Sequence, residues 1–133
     1  MRLALEDASL SNEQIGYVNA HATGTVLGDR VETEAIRNTF GSHADRLALS
    51  STKSAYGHLV GATSALESAL TVRALQTGRI PPTANLTDPD PQCDLNNVPL
   101  VGREAPELEY AISNSFAFGG TNATLVLRKV IAP

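Results

Sequence analysis

From Gly57 to Thr77 the sequence carries only two charged residues, Glu67 and Arg73. Leu59, Ala62, Leu66, Ala69, Leu70 and Leu75 recur there at helical spacing, and Gly78 closes the run. Small residues (Gly61, Ala62, Ala65, Ser68, Ala69) cover much of the remaining surface. A helix that is apolar nearly all round belongs in the middle of a layered protein. The chain has 133 residues, enough for about one domain. Helices in so short a chain are mostly half exposed, so this one is out of place.

The rest of the pattern alternates. Leu3, Ala4, Leu5 and Ala8 read as the end of a helix, and Ser9 to Gln14 as a polar turn. Tyr17 to Ala20 reads as a short buried strand. Leu27 to Phe40 reads as a helix with Val31, Ala35, Ile36 and Phe40 on one face. Asp29 and Glu32 sit in its first turns, where the dipole favours acids, and Gly41 ends it. Leu47 to Leu49 reads as a second buried strand. Residues 79–109 hold six of the seven prolines and no periodicity, an extended loop over the surface. Ala111 to Phe116 and Ala123 to Val130 read as strands joined by a glycine-rich turn. Their connection is too short for a crossover, so the pair is antiparallel. The order predicts an α/β layered fold with a mixed sheet.

Composition excludes several functions. A net charge of −4 lacks the concentrated basic surface that nucleic acid or an anionic membrane calls for. No apolar stretch approaches the roughly 20 residues that span a bilayer. The first residues carry acids and no apolar signal core, so Asn85-Leu86-Thr87 and Asn122-Ala123-Thr124 read as chance glycosylation patterns. One cysteine, Cys93, forms no intrachain disulfide, which fits a reducing compartment such as the cytoplasm. His21, His43 and His58 lack zinc-site spacing, so no metal is expected.

Three clusters can carry chemistry. Asn19 to Thr25 places His21 just past a buried strand, where α/β folds hold their active groups, and Thr23, Gly24 and Thr25 follow. Ser50 to Leu59 repeats the arrangement with Lys53 and His58. There His58 falls in the first turn of the expected long helix, whose dipole disfavours a positive ring. A neutral imidazole at that point can donate a hydrogen bond to a developing enolate oxygen. Glu67, in the same buried helix, needs a cationic or hydrogen-bonding partner, and Lys53 is the nearest by sequence. In Asn114 to Asn122, two phenylalanines precede Gly119 and Gly120, a turn able to present backbone N–H groups to an oxyanion. Each cluster has a plain structural reading beside the functional one: a core histidine, an ion pair at a helix start, a hairpin turn with core aromatics. No nucleophile elbow is present. Cys93 lies between Asp90 and Asp94 with no helix start to activate it, so a cysteine or serine hydrolase lacks its nucleophile.

As a set, Asn-Ala-His-Ala-Thr-Gly-Thr, Ser-Thr-Lys-Ser-Ala-Tyr-Gly-His-Leu-Val-Gly-Ala and Asn-Ser-Phe-Ala-Phe-Gly-Gly-Thr-Asn-Ala resemble motifs of a known family. They are similar to the C-terminal half of the β-ketoacyl-acyl-carrier-protein synthases. These are decarboxylating condensing enzymes of the thiolase superfamily, and the likeness is nearest to the type II elongating synthases of fatty acid and polyketide synthesis. It runs from about Leu3 to Lys129. It implies half of a five-layer αβαβα structure: a mixed five-stranded sheet with a buried central helix, the part that the Gly57–Thr77 stretch resembles. It also implies that the nucleophilic cysteine lies in an N-terminal half absent from this sequence.

By motif position, the resemblance makes His21 and His58 the histidines that bind a malonyl thioester and stabilise its enolate. Lys53 becomes the lysine that fixes the second histidine, and Glu67 the glutamate of that network. Thr23 and Thr25 resemble residues that hydrogen-bond the phosphopantetheine arm, which arrives on the acyl carrier protein, so no resident cofactor is expected. Phe118 resembles a gating phenylalanine whose backbone N–H completes the oxyanion hole, with Phe116, Gly119 and Gly120 beside it. The implied partners are the carrier protein, the N-terminal half and, when complete, a second copy. Ala22 and Ala117 depart from the pattern, where glycine is usual, and a Cβ at 117 narrows the freedom of the gating loop. The alternative is a non-catalytic partner of the chain-length-factor kind. A partner dead in decarboxylation has no need of His21, Lys53 and His58 together.

Overall fold

The computed structural model describes residues 1–130. Helix α1 (Arg2–Asp7) ends where Ser9 turns left-handed at φ +55. Strand β1 (Ile15–Asn19) leads into helix α2 (Val26–Phe40), which Gly41 terminates at φ +56. Strand β2 (Ala48–Ser50) is followed by a single helical turn, α3 (Lys53–Tyr56), and then by helix α4 (Thr63–Thr77). Short strands β3 (Arg79–Ile80) and β4 (Arg103–Glu104) pair antiparallel as a separate ribbon within the proline-rich segment. Strands β5 (Tyr110–Phe116) and β6 (Asn122–Arg128) complete the chain.

The main sheet is mixed, in the order β2-β1-β5-β6. Strand β1 runs parallel to both of its neighbours, and β5 and β6 form the expected antiparallel pair. The sheet has four strands among the described residues, not five, because β3 and β4 pair with each other outside it. The edge of β2 is covered instead by the proline-rich segment: Leu49 N–H donates to Asn96 O at 3.0 Å and Val98 N–H to Leu49 O at 2.9 Å.

Each face of the sheet has its own core. Val18, Ile36, Phe40, Leu47 and Ile112 pack on the α2 side. Tyr17, Leu75, Ile80, Val98 and Leu108 pack on the α4 side. Burying each such side chain contributes roughly 1.5–3 kcal/mol before chain entropy is set against it. A register shift at Gly16 sends Ile15 to one core and Tyr17 to the other. A Cβ at Gly16 would stand 2.8 Å from Leu108 Cδ1, so the glycine lets the loop before β5 close on the sheet.

Three sequence expectations about the helices are corrected. On α2 the buried face is Glu32, Thr33, Ile36 and Phe40, and Val31 is 54% exposed. The helix expected from Gly57 to Thr77 begins at Thr63, because Gly57 at φ +80 and Val60 at φ +52 leave the right-handed path. Nor is it apolar all round within this chain. Its inward face carries Thr63, Glu67 and Thr71 with Ala74 and Leu75, while Ala65, Ala69 and Val72 face out. No helix among the described residues is long and apolar enough to cross a membrane.

Candidate active site

The parallel strands β1, β2 and β5 deliver their C-terminal ends to one side of the sheet, and the three motifs follow those ends. His21 stands two residues past β1, Lys53 three past β2, and Phe116 is the last residue of β5. The rings of His21 and His58 meet edge to face, 5.8 Å between centroids. The Phe116 ring lies 5.6 Å from that of His21. A cavity of about 580 Å³ adjoins His58, with Ala22, Thr23, Lys53, Asn85 and Asp90 among its lining residues.

His58 lies in the loop between α3 and α4 and not, as the sequence suggests, in the first turn of the long helix. Two short contacts orient its ring. Val60 N–H donates to Nδ1 at 3.2 Å, and the Thr63 hydroxyl lies 2.9 Å from the same nitrogen. A backbone N–H can only donate, so Nδ1 is the acceptor and the ring proton sits on Nε2. That tautomer is the hydrogen-bond donor an enolate oxygen requires.

His21 is held from behind. Burial, then the nearby Lys53 ammonium and His58, lower its pKa from 6.5 to about 4. Its Nδ1 is enclosed and meets no partner among the described residues. A buried N–H without an acceptor is rarer and costlier than an unused lone pair, so Nε2 is left to carry the proton.

Lys53 and Glu67 form a buried ion pair, Nζ to Oε1, with side chains 6% and 2% exposed. Burial pushes the Glu67 carboxyl up and the Lys53 ammonium opposes it. The pair joins α3 to α4. Asn19 strengthens the same region by donating to Glu67 O at 3.2 Å and Thr71 Oγ1 at 3.1 Å. Lys53 makes no hydrogen bond to His58 among the described residues, and that ring is oriented by Val60 and Thr63.

The remaining residues of the three motifs are spread differently. Thr23 and Thr25 hydroxyls lie 3.4 Å apart at the exposed mouth, with Gly24 N–H donating to Asp29 Oδ1 at 3.2 Å between them. Burial pushes the Asp29 carboxyl up, against the Gly24 and Thr25 backbone. Ala117 N–H donates to Thr121 O at 2.9 Å and closes a loop of Phe118, Gly119 and Gly120. Phe118 is fully exposed, and both glycines adopt φ +79. Ala117 sits at φ −133, ψ 161, extended backbone in which its Cβ introduces no strain. The structure therefore brings His21, His58 and Phe116 together and leaves Phe118 on the surface.

Sequence reasoning missed Glu32 as a site residue. It is 4% exposed, and its carboxylate accepts His21 N–H at 3.0 Å and Ala22 N–H at 2.8 Å. The signal was its spacing: Glu32, Ile36 and Phe40 share one helix face, so an acid faces the core. Asn114 gave a similar signal as a buried amide in the middle of a strand.

Over residues 1–87 the sequence matches the family described as β-ketoacyl synthase, C-terminal domain. It is 51% identical over 130 residues to nodulation protein E of Rhizobium sp. (strain N33), covering 98% of this chain and 32% of the relative. It is 49% identical over 130 residues to 3-oxoacyl-[acyl-carrier-protein] synthase 2 of Coxiella burnetii (strain RSA 493 / Nine Mile phase I), covering 98% and 31%. A ketosynthase solved in complex with its type II polyketide synthase acyl carrier protein, bound to a hexaketide, superposes with a TM-score of 0.94. That structure is 33% identical, with 98% of this chain and 32% of the other covered. The chain spans about a third of the length of the relatives it matches. With a match over residues 1–87 and half-identical relatives along nearly its whole length, this chain belongs to the β-ketoacyl synthase family.

Proposed function

We propose that this chain supplies the enolate-binding half of a decarboxylating condensing enzyme. Its partner half holds an acyl group as a thioester on a cysteine. Malonyl-acyl carrier protein then enters, with the Thr23 and Thr25 hydroxyls hydrogen-bonding its phosphopantetheine arm. The carbon–carbon bond to the carboxylate breaks, carbon dioxide leaves, and the electron pair moves to the thioester as an enolate. His58 and His21 each donate an Nε2–H to the enolate oxygen. The α-carbon then attacks the acyl thioester carbon, the carbon–sulfur bond breaks, and the cysteine leaves as thiolate. The product is 3-oxoacyl carrier protein. The backbone around Phe118, Gly119 and Gly120 receives the oxyanion of that second step.

One observation carries the reading: two imidazoles converge at 5.8 Å, and the Val60 amide turns the His58 proton outward on Nε2. The two rings serve one oxygen only if both stay uncharged donors, and the lowered His21 value supports that for its ring. The outward-facing Ala65, Ala69 and Val72 of α4 fit a helix whose other side is covered by the N-terminal half, with a second copy completing the enzyme. The single free cysteine fits a cytoplasmic protein.

The test is reconstitution with a matching N-terminal half, given malonyl and acyl carrier proteins. His58→Ala removes one donor to the developing oxyanion and lowers carbon dioxide release by about 10²-fold or more. An unchanged rate in that variant sinks the assignment.

A further inference from the structure

Residues 55–62, the turn that carries His58, are all exposed, and Thr63 is the first buried residue after them, 4% exposed. The backbone of that turn is strained. Val60 stands at φ +52, a left-handed path that a β-branched residue rarely adopts. In that conformation Val60 N–H reaches His58 Nδ1 at 3.2 Å. The shorter contact on the same nitrogen, 2.9 Å, comes from the Thr63 hydroxyl. Other hydroxyls of α4 bond back onto their own helix. Ser68 donates to Ser64 O at 2.7 Å, Thr71 to Glu67 O at 2.7 Å and Thr77 to Arg73 O at 2.8 Å. The equivalent acceptor for Thr63, Leu59 O, already takes Ala62 N–H at 3.1 Å, and the Thr63 hydroxyl turns to the ring instead.

We propose that Thr63 is a positioning residue for His58: its hydroxyl closes the turn from His58 to Thr63, and so keeps the Val60 amide on Nδ1 and the ring proton on Nε2. The inference rests on the reading of His58 as a donor to the enolate, and it adds a residue that acts through the ring and not on substrate. A hydroxyl both donates and accepts, so by itself it selects neither tautomer. The amide only donates and does select, but it sits on strained backbone. The Thr63 bond ties that exposed turn to the buried start of α4. Without it Val60 relaxes toward negative φ, its N–H swings off Nδ1, and both ring nitrogens compete for the proton. Thr63→Val keeps the shape and removes the bond, whereas Thr63→Ser keeps the bond.

The experiment reads the tautomer by long-range proton–nitrogen NMR on the full chain, isotopically labelled in its three histidines. His58→Ala identifies the His58 signals by their loss. In the unsubstituted protein His58 shows a bare Nδ1 and a protonated Nε2. In Thr63→Val the two nitrogen shifts move toward each other, as a mixture of tautomers requires, and Thr63→Ser returns them. Carbon dioxide release by the reconstituted enzyme gives the second readout. Thr63→Val lowers kcat by about fivefold, the effect of losing one ordinary hydrogen bond, and leaves KM for malonyl carrier protein within about twofold. Thr63→Ser restores kcat. His58 shifts that stay unmoved in Thr63→Val, or a serine variant as slow as the valine one, overturn the positioning role. Shifts that move while His58→Ala still releases carbon dioxide at the full rate uphold the positioning and remove the function proposed for the ring.

Discussion

Val60 N–H, 3.2 Å from His58 Nδ1, assigns the ring proton to the other nitrogen, and no property of the histidine alone could do that. His21 reaches the neutral state by another route, burial assisted by the Lys53 ammonium and His58. We expect its ring resonances, followed by NMR, to titrate near pH 4, well below the ordinary 6.5. Between those values the unfolded ring binds a proton that the folded one refuses. The His21 contribution to stability is therefore complete above about pH 6.5 and is lost as pH falls toward 4. Glu32 and Glu67, both raised by burial, act with the opposite sign: their contribution is present at low pH and lost as pH rises. The ring itself, not the unfolding midpoint, is thus the observable. A midpoint near 6.5 would remove burial as the cause of its neutrality.

At the scale of elements, the clasp between α3 and α4 is the buried Lys53–Glu67 pair. Breaking it from one side strands a carboxylate in the core. Lys53→Met is expected to destabilise the fold by about 3–5 kcal/mol, and Lys53→Met with Glu67→Leu by much less. Urea unfolding of the three proteins measures the difference. Equal losses in the single and double variants would mean that the pair holds nothing by its charge. Gly57 and Val60, both at positive φ, make the clasp necessary, since they part α3 from α4 and leave His58 in the loop between them. The helical spacing of Leu59 and Ala62 concealed that break, because an apolar period continues across a change of backbone path. Lys53 with Glu67 was legible, since a buried acid needs a cation and one stood nearby. The buried face of α2 was legible only in part: Val31 belongs to the surface, and Glu32 takes its place inside.

At the scale of the molecule, the chain turns small and apolar groups outward. Ala65, Ala69 and Val72 face out from α4, and Leu3, Leu27, Val60 and Phe118 are exposed. The α4 residues lie on one uncovered helix face, the kind of surface that association buries. We expect the isolated chain to self-associate in light scattering, and Ala69→Arg to reduce that association while shifting its own unfolding free energy by no more than about 0.5 kcal/mol. A single monomeric species without the substitution would show that α4 needs no cover.

The sequence by itself determined the layered α/β class, the antiparallel final pair, and the position of His21, Lys53 and Phe116 each at the end of a strand. Periodicity and chain direction are local properties, and in a parallel sheet they send those ends to one side. It did not determine where the long helix begins, which nitrogen of His58 holds its proton, that Phe118 lies outside, or that Glu32 joins the His21 loop to Asn114. Each of these depends on contacts between residues far apart in the chain. Glu32 and Asn114 are separated by 82 positions, and only the packed sheet and helix bring their polar atoms within 3.0 Å.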